Sequence, residues 1–173
     1  GRIPNMGTTE APLEIFVGNA GTAARFLGAL VCLGDGAVQL HGVERMHERP
    51  QEELFRALRR LGYRIDSPNN RLPAMFHGSG AREASCTVSL NESSQFATAL
   101  LQVAPRGQWY VDLSGANLDH APYVRMTQEM MAAFPHNGGS FAIEPDASSG
   151  SFFWGINIFR ERVEVANWPV TGW

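Results

Sequence analysis

The sequence predicts an α/β fold of repeated β-α-β-α-β-β units, in which buried helices run parallel to one another. Residues 15–34 read as a strand, a small polar turn and a helix with almost no polar side chain, and the same order returns over residues 86–105. Gly21 and Ser93 hold equivalent places in the two turns and are 72 residues apart. The proline that opens a second helix in each copy keeps the same offset, which indicates an internal repeat.

Composition places the chain among soluble globular proteins, because 44% of its 173 residues are hydrophobic and 18% are charged. A net charge of −3 argues against nucleic acid or an anionic membrane as a partner, so an anion site would have to be local. The longest apolar run, residues 26–33, is far shorter than a bilayer span. Cys32 and Cys86 lie far apart without metal-ligand spacing, which favours core residues in a reducing compartment. We therefore expect a cytoplasmic protein without a metal site.

The turn at residues 18–21 predicts a helix start that binds an anion. Gly18 and Gly21 allow close backbone approach, and Thr22 is placed to accept a hydrogen bond from the first helical N–H groups. The remaining N–H donors and the helix dipole attract anions, and Arg25, one turn into the helix, adds positive charge. An ordinary capped connection from strand to helix is the alternative for this turn taken alone.

Pro50 predicts the start of an amphipathic helix, because its fixed φ suits the first helical position. Acidic residues follow in the first turn, and Gly62 marks the end; the apolar stripe consists of Leu54, Leu58 and Leu61. Arg49 then stands beside a rigid proline, where its guanidinium can bind a carboxylate or phosphate through two hydrogen bonds. A solvated arginine among the charged residues 44–48 is the alternative.

The first copy closes with two predicted short strands, residues 63–66 and 72–77, joined by a turn at residues 67–70. Residues 37–41 alternate as a half-buried strand does. His41 falls in this strand and His77 in the strand at residues 72–77, and no catalytic role is assigned to either. Neither histidine has the spacing of a metal ligand on a helix face.

The second copy opens on a strand at residues 86–90 and a serine-rich turn. Ser93 and Ser94 supply hydroxyl donors, and Gln95 can donate or accept a hydrogen bond; a plain N-cap is the alternative for these three residues. We expect the helix that follows to end at Pro105 and a strand to cover residues 109–113. A second amphipathic helix then begins at Pro122, with one face formed by Tyr123, Met126 and Met130.

A third copy starts near residue 146 and includes a predicted strand at residues 163–165. The chain stops inside this copy, so we expect it to be a piece of a larger protein, since repeat units bury their apolar faces against neighbours. Parallel helices place their N-termini at one end of the domain. That end should attract a compact anion that carries several charges.

Five segments, in this order and at these separations, strongly resemble the 5-enolpyruvylshikimate-3-phosphate synthase family. They are residues 18–25, 45–50, 93–95, 122–123 and 146–149, within a likeness that runs from about residue 13 to residue 151. The resemblance implies a two-lobed enzyme with its active site between the lobes, each lobe being part of an inside-out α/β barrel. Residues 1–146 would be a partial substrate-binding lobe, with repeat units at about 13–82 and 83–146. Residues 147–173 would begin the crossover to the second lobe, which this chain lacks.

The same resemblance implies transfer of the enolpyruvyl group of phosphoenolpyruvate to the 5-hydroxyl of shikimate 3-phosphate, with loss of phosphate. No metal or organic cofactor is implied. By this resemblance, Gly21 with Asn19 and Thr22 shapes the phosphoenolpyruvate pocket, and Arg49 binds the charged groups of that substrate. Arg25 resembles a helix arginine of the family that supports the site rather than reacting.

On the shikimate side, the resemblance assigns the phosphate to Ser93 and Ser94. Gln95 would lie between the two substrates, and Tyr123 would line the shikimate pocket. His120 stands where the family usually has a phosphate-binding serine, so the resemblance does not extend to that position of the phosphate site. Two milder departures are Phe26 in place of a common proline and His47 in place of a common lysine.

General acid–base catalysis needs a positioned donor and acceptor, and the sequence offers no convincing carboxylate or lysine pair for both tasks. No catalytic residue is therefore assigned, and we expect the isolated chain to bind weakly and not to turn over without the missing lobe. One alternative is a non-catalytic anion-binding or interaction module derived from this lobe. Another is a related enolpyruvyl transferase that acts on a nucleotide sugar, which the Arg-Pro and Ser-Ser-Gln motifs disfavour.

Overall fold

The computed structural model describes residues 3, 6–115, 122–159 and 162–169. These residues fall into two compact units on either side of the bond between Gln128 and Glu129. The strands are β1 (Leu13–Phe16), β2 (Asp35–His41), β3 (Arg64–Asp66), β4 (Ala74–Ser79), β5 (Ala84–Ser89) and β6 (Trp109–Ser114). The helices are α1 (Gly21–Val31), α2 (Glu44–Glu48), α3 (Glu52–Arg60), α4 (Ser94–Gly107), α5 (Pro122–Ala133) and α6 (Ala147–Ile156).

The first copy of the repeat builds a four-stranded sheet in the order β1-β2-β4-β3. β1 and β2 are parallel, with Leu13 opposite Val38, because α1 carries the chain back between them. β4 pairs antiparallel with both β2 and β3. Gly28 lets α1 approach this sheet closely, since a Cβ there would lie 3.3 Å from the Phe76 ring. Phe76 packs edge-on against Phe55 of α3, with ring centroids 5.4 Å apart, and the two rings are central to this core.

The predicted stripe of α3 is confirmed, because Leu54, Leu58 and Leu61 are all buried. The predicted start is wrong: Gln51 has a non-helical backbone and forms the N-cap, so Pro50 precedes the helix instead of opening it. Gly62 follows the helix with a φ of +90°. Its N–H donates to Arg59 O and the next N–H donates to Leu58 O, which satisfies two terminal carbonyls as in a Schellman motif.

The second copy repeats the strand, helix and parallel strand of the first. β5 and β6 pair in parallel, with Ala84 opposite Trp109, and α4 connects them and packs against α1. The predicted end of the helix is wrong, because Pro105 lies inside α4, which continues to Gly107. Proline fits there because its φ is helical and only one backbone donor is lost near the end of the helix. Gln108 then closes the helix in a left-handed conformation, with a φ of 60°.

The second copy departs from the first after α5. β3 and β4 of the first copy have no counterpart, since the described residues 134–146 form no strand. The predicted face of α5 is also wrong: Val124 and Thr127 are buried, whereas Tyr123 is 63% exposed. Thr127 Oγ1 lies 3.4 Å from Thr98 Oγ1, so a polar pair joins α5 to α4.

The unit from residue 129 onward contains α6. Asp146 caps the N-terminus of this helix, because its side chain accepts a hydrogen bond from Ser148 N at 2.9 Å. Trp154 of this helix stacks on Trp168, with ring centroids 4.0 Å apart. The predicted strand at residues 163–165 is wrong. The Asn157 side chain bonds both backbone groups of Val163, donating to its carbonyl at 3.1 Å, and thereby occupies the groups a strand would need.

Cys32 and Cys86 are buried and free, as the sequence predicts for core residues. His41 and His77 lie in β2 and β4, which confirms their assignment to strands. None of the described helices combines the length and hydropathy that a bilayer span requires.

Candidate anion-binding site

The first turns of α1 and α4 lie side by side, as expected from the repeat. Arg25, in the second turn of α1, donates from Nη1 to Oε1 of Gln95 in the first turn of α4. Its guanidinium carbon also lies 4.8 Å from the centre of the Phe96 ring. We call the surface formed by these two helix starts and Arg49 the paired N-termini.

The start of α1 leaves its backbone donors open. The N-cap is Ala20, which has no capping side chain, and the first helical hydrogen bond runs from Ala24 N to Ala20 O at 3.0 Å. The predicted capping role of Thr22 is therefore wrong, because Thr22 is the second residue of the helix and is exposed. The N–H groups before Ala24 consequently remain available for a ligand.

Arg49 lies directly over the start of α1. A Cβ added to Gly21 would be 2.6 Å from Arg49 Nη2 and 2.7 Å from its Cζ and Nη1. The guanidinium thus occupies the space that a side chain at position 21 would fill. Arg49 Nη1 also donates to Asn19 O at 3.1 Å, which fixes the guanidinium over the turn.

The start of α4 presents hydroxyl groups. Ser93 is the N-cap, and its Oγ accepts from Gln95 N at 3.3 Å. A serine hydroxyl that accepts this bond keeps its own hydrogen for a ligand oxygen. Ser94 is the first residue of the helix, and both serines are half-buried.

Arg25 places a buried positive charge beneath this surface. Only 5% of the residue is exposed, and its Nη2 donates to Pro50 O at 3.3 Å. Burial lowers the pKa of Arg25, the nearby charge of Arg49 lowers it further, and Glu92 acts in the opposite direction. Within the unit that ends at Gln128, no described carboxylate lies within ion-pair distance of Arg25 or Arg49. An anion would meet the guanidinium of Arg49 at the surface, with the positive charge of Arg25 buried beneath it.

Most of the predicted site residues come together within the first unit. Direct contacts join Arg49 to Asn19 and Gly21, Arg25 to Gln95, and Gln95 to Ser93; Thr22 and Ser94 adjoin this set in the chain. Tyr123 lies in the first turn of α5, and among the described residues no hydrogen bond or ring contact joins its side chain to the others. His120 lies outside the described residues.

Sequence reasoning missed the groups that hold these side chains in place. The Phe96 ring and the Pro50 carbonyl hold Arg25, and neither residue type signals that role in advance. His47 accepts from Gly42 N at 3.2 Å and so ties down the loop that leads to Arg49. Phe26 is half-buried against the core, which explains how the helix accommodates it.

Comparisons with known proteins show which family the chain belongs to. The family model for EPSP synthase (3-phosphoshikimate 1-carboxyvinyltransferase) matches residues 2–137. A 3-phosphoshikimate 1-carboxyvinyltransferase of Pectobacterium carotovorum is 39% identical, over 84% of this chain and 39% of the relative. One from Vibrio cholerae is 38% identical over the same shares of the two chains.

An EPSP synthase structure from Acinetobacter baumannii is similar in fold, with a TM-score of 0.56 and 20% identity over 79% of this chain and 30% of that one. This chain therefore spans about 39% of the length of the curated relatives it matches. The matched fold is the mixed α/β architecture predicted from the repeat.

Proposed function

Because this chain belongs to the EPSP synthase family, we propose that its paired N-termini form the anion-binding surface of one lobe of such an enzyme. The proposed reaction transfers the enolpyruvyl group of phosphoenolpyruvate to the 5-hydroxyl of shikimate 3-phosphate and releases phosphate. The chain would contribute part of the active site, and the missing lobe would contribute the rest. No metal or organic cofactor enters this proposal.

The observation that carries the proposal is the convergence of Arg25 and Arg49 on two helix starts, with no carboxylate partner among the described residues of their own unit. A buried charge is costly unless something pairs with it. Both substrates carry a phosphate and a carboxylate, so either could supply the missing negative charge. Free backbone N–H groups and serine hydroxyls add donors suited to the same oxygen atoms.

We assign phosphoenolpyruvate to the α1 side and the phosphate of shikimate 3-phosphate to the α4 side. Arg49 binds the first substrate with its guanidinium, and Asn19 and Gly21 hold that guanidinium over the turn; Thr22 adds its N–H group. Ser93 and Ser94 bind the second substrate's phosphate. Gln95 lies between the two, and Tyr123 lines the shikimate pocket.

The domain boundaries belong to the same proposal. Residues 1–146 form the partial lobe, and residues 147–173 begin the crossover to the other lobe. A cytoplasmic location is proposed as well, and the two buried free thiols support it because they suit a reducing compartment.

Calorimetric titration of phosphoenolpyruvate and shikimate 3-phosphate into the chain at low salt tests the site. We expect Arg49→Ala to weaken phosphoenolpyruvate binding roughly 10- to 100-fold, the range for a lost hydrogen bond to a charged group. Arg45→Ala is the matched control, because Arg45 is an exposed arginine of the same segment that pairs with Glu48. Equal affinities for the wild type and both variants would contradict the assignment.

Turnover is tested by adding a polypeptide that carries the remaining sequence of a relative. Phosphate release is expected from the mixture and not from the chain alone. Normal release from the chain alone would show that the missing lobe is not needed. Substrate binding without release from a stable mixture would instead support the non-catalytic anion-binding module.

A further inference from the structure

Arg25 is held from three directions at the junction of the two copies. Its Nη1 donates to Gln95 Oε1, its Nη2 donates to Pro50 O at 3.3 Å, and the Phe96 ring lies 4.8 Å from its guanidinium carbon. The residue is only 5% exposed. A ligand on the surface would therefore meet the groups that Arg25 holds more readily than Arg25 itself.

The bond to Gln95 settles which way the side-chain amide points. A guanidinium has five donors and no acceptor, so the atom that faces Arg25 must be the amide oxygen. The amide nitrogen of Gln95 then points away from Arg25 with two hydrogens to donate. Without Arg25, the oxygen and nitrogen of this amide could exchange places by rotation about one bond.

We infer that Arg25 is a positioning residue that fixes the Gln95 amide as a hydrogen-bond donor toward the anion held at the paired N-termini. An amide in the reverse orientation would present its oxygen to a phosphate or carboxylate oxygen, and two acceptors repel each other. The contact with Pro50 O extends the same control to the segment that carries Arg49. The identity of the anion rests on the function proposed above, whereas the orientation of the amide does not.

Side-chain ¹⁵N relaxation tests the orientation without any ligand. Gln102 is an exposed glutamine of the same helix and serves as an internal control. We expect the Gln95 amide group to be clearly more ordered than that of Gln102 in the wild type, and Arg25→Lys to remove this difference. Lysine keeps the positive charge but has a single ammonium group in place of the planar fork. A Gln95 amide as mobile as Gln102 in the wild type would overturn the inference.

A double-mutant cycle of substrate affinity tests whether Arg25 acts through Gln95. Arg25→Lys should weaken phosphoenolpyruvate binding by about 3- to 10-fold, the range for one hydrogen bond, and should have no further effect in a Gln95→Met background. Equal weakening in both backgrounds would overturn the inference, because Arg25 would then act on the anion directly. Failure of the proposed function gives a different result: the wild type would bind neither substrate while Gln95 stayed ordered by Arg25.

Discussion

The two copies of the repeat bring the same architecture to one surface with different chemistry. In the first copy, an uncapped helix start lies under the guanidinium of Arg49, and Gly21 leaves the space for it. In the second copy, Ser93 caps the helix and the surface is formed by hydroxyl groups. The scaffold thus fixes where backbone donors converge, and the residues at each helix start decide which side-chain groups the surface presents.

The 72-residue offset makes the contrast specific. Ala97 and Ala121 stand 72 residues after Arg25 and Arg49 in the sequence, so both arginines of the site belong to the first copy. In the structure α1 starts at Gly21 and α4 starts at Ser94, so the helical place of Arg25 is taken by Thr98, which is also buried. The positive charge is therefore concentrated on one side of the paired N-termini.

The largest expected effect comes from the contribution of the first copy to the core. Phe76→Ala should lower the free energy of unfolding by about 3–5 kcal/mol, because the ring is fully buried between α1 and α3 and its loss leaves a cavity. Urea unfolding followed by circular dichroism measures the change. Phe16→Ala is the matched control in the same copy, because Phe16 lies on the edge strand β1 and is 62% exposed. Similar losses for both variants would show that the first sheet does not organise the core.

The next effect concerns binding at the first copy alone. Gly21→Ala should displace the Arg49 guanidinium, because the new methyl group would lie within 2.7 Å of three of its atoms. We expect phosphoenolpyruvate affinity to fall by about tenfold, the value of one charged hydrogen bond, with little change in stability since alanine suits a helix. Calorimetric titration measures the phosphoenolpyruvate affinity, and thermal unfolding measures the stability. Unchanged affinity would mean that Arg49 does not need its position over Gly21.

A smaller effect follows from exchanging the caps of the two helices. Ser93→Ala should cost about 1 kcal/mol of stability, because the bond to Gln95 N is lost. Ala20→Ser should add up to about the same amount, since Ala20 already has the extended backbone of an N-cap. The added hydroxyl would also occupy a backbone donor, so phosphoenolpyruvate should bind more weakly. Stability that moves the same way in both variants would contradict the contrast between the two helix starts.

The sequence predicts those elements of this molecule whose signals lie within a few neighbouring residues. The order of strand, turn and apolar helix recurs at a fixed spacing, so β1-α1-β2 and β5-α4-β6 could be predicted before any contact was known. Arg49 beside a proline and Ser93 at a predicted helix start could be named as candidates from their neighbours, whereas their substrates came from the resemblance to the family. Each of these features depends on neighbours within a few residues.

The sequence did not predict the contacts between segments that are far apart in the chain. Arg25 and Gln95 are 70 residues apart, and nothing in either neighbourhood specifies that they touch. The prediction that Thr22 caps α1 is wrong because the helix starts two residues earlier than that role requires. The prediction that α4 ends at Pro105 is wrong because the loss of one backbone donor near a helix terminus costs little free energy. The strand expected at residues 163–165 failed because Asn157 bonds the backbone of Val163. Tertiary structure decides which of the competing hydrogen bonds a backbone group forms.

The smallest expected effect belongs to the pair of strands that the second copy lacks. Arg64 donates two hydrogen bonds to Asp66, at 3.0 and 2.8 Å, and His77 lies 2.8 Å from the same carboxylate. The Arg64 hydrogen bonds, helped by His77, lower the pKa of Asp66, while its slight burial opposes them. A lowered pKa in the folded state stabilises the fold above the unfolded value of about 3.9, and this stability is lost as the pH falls through the folded value.

Asp66→Asn should therefore destabilise the chain by a few tenths of a kcal/mol at pH 7, a small effect because the carboxylate is about half exposed. The difference from the wild type should close as the pH is lowered below about 4, where the wild-type carboxylate also loses its charge. Urea unfolding at pH 7 and at pH 3 measures both values. In an Arg64→Met background the effect at pH 7 should shrink, because the main partner of the carboxylate is gone. A difference that stays constant with pH would mean that the charge of Asp66 contributes nothing to β3 and β4.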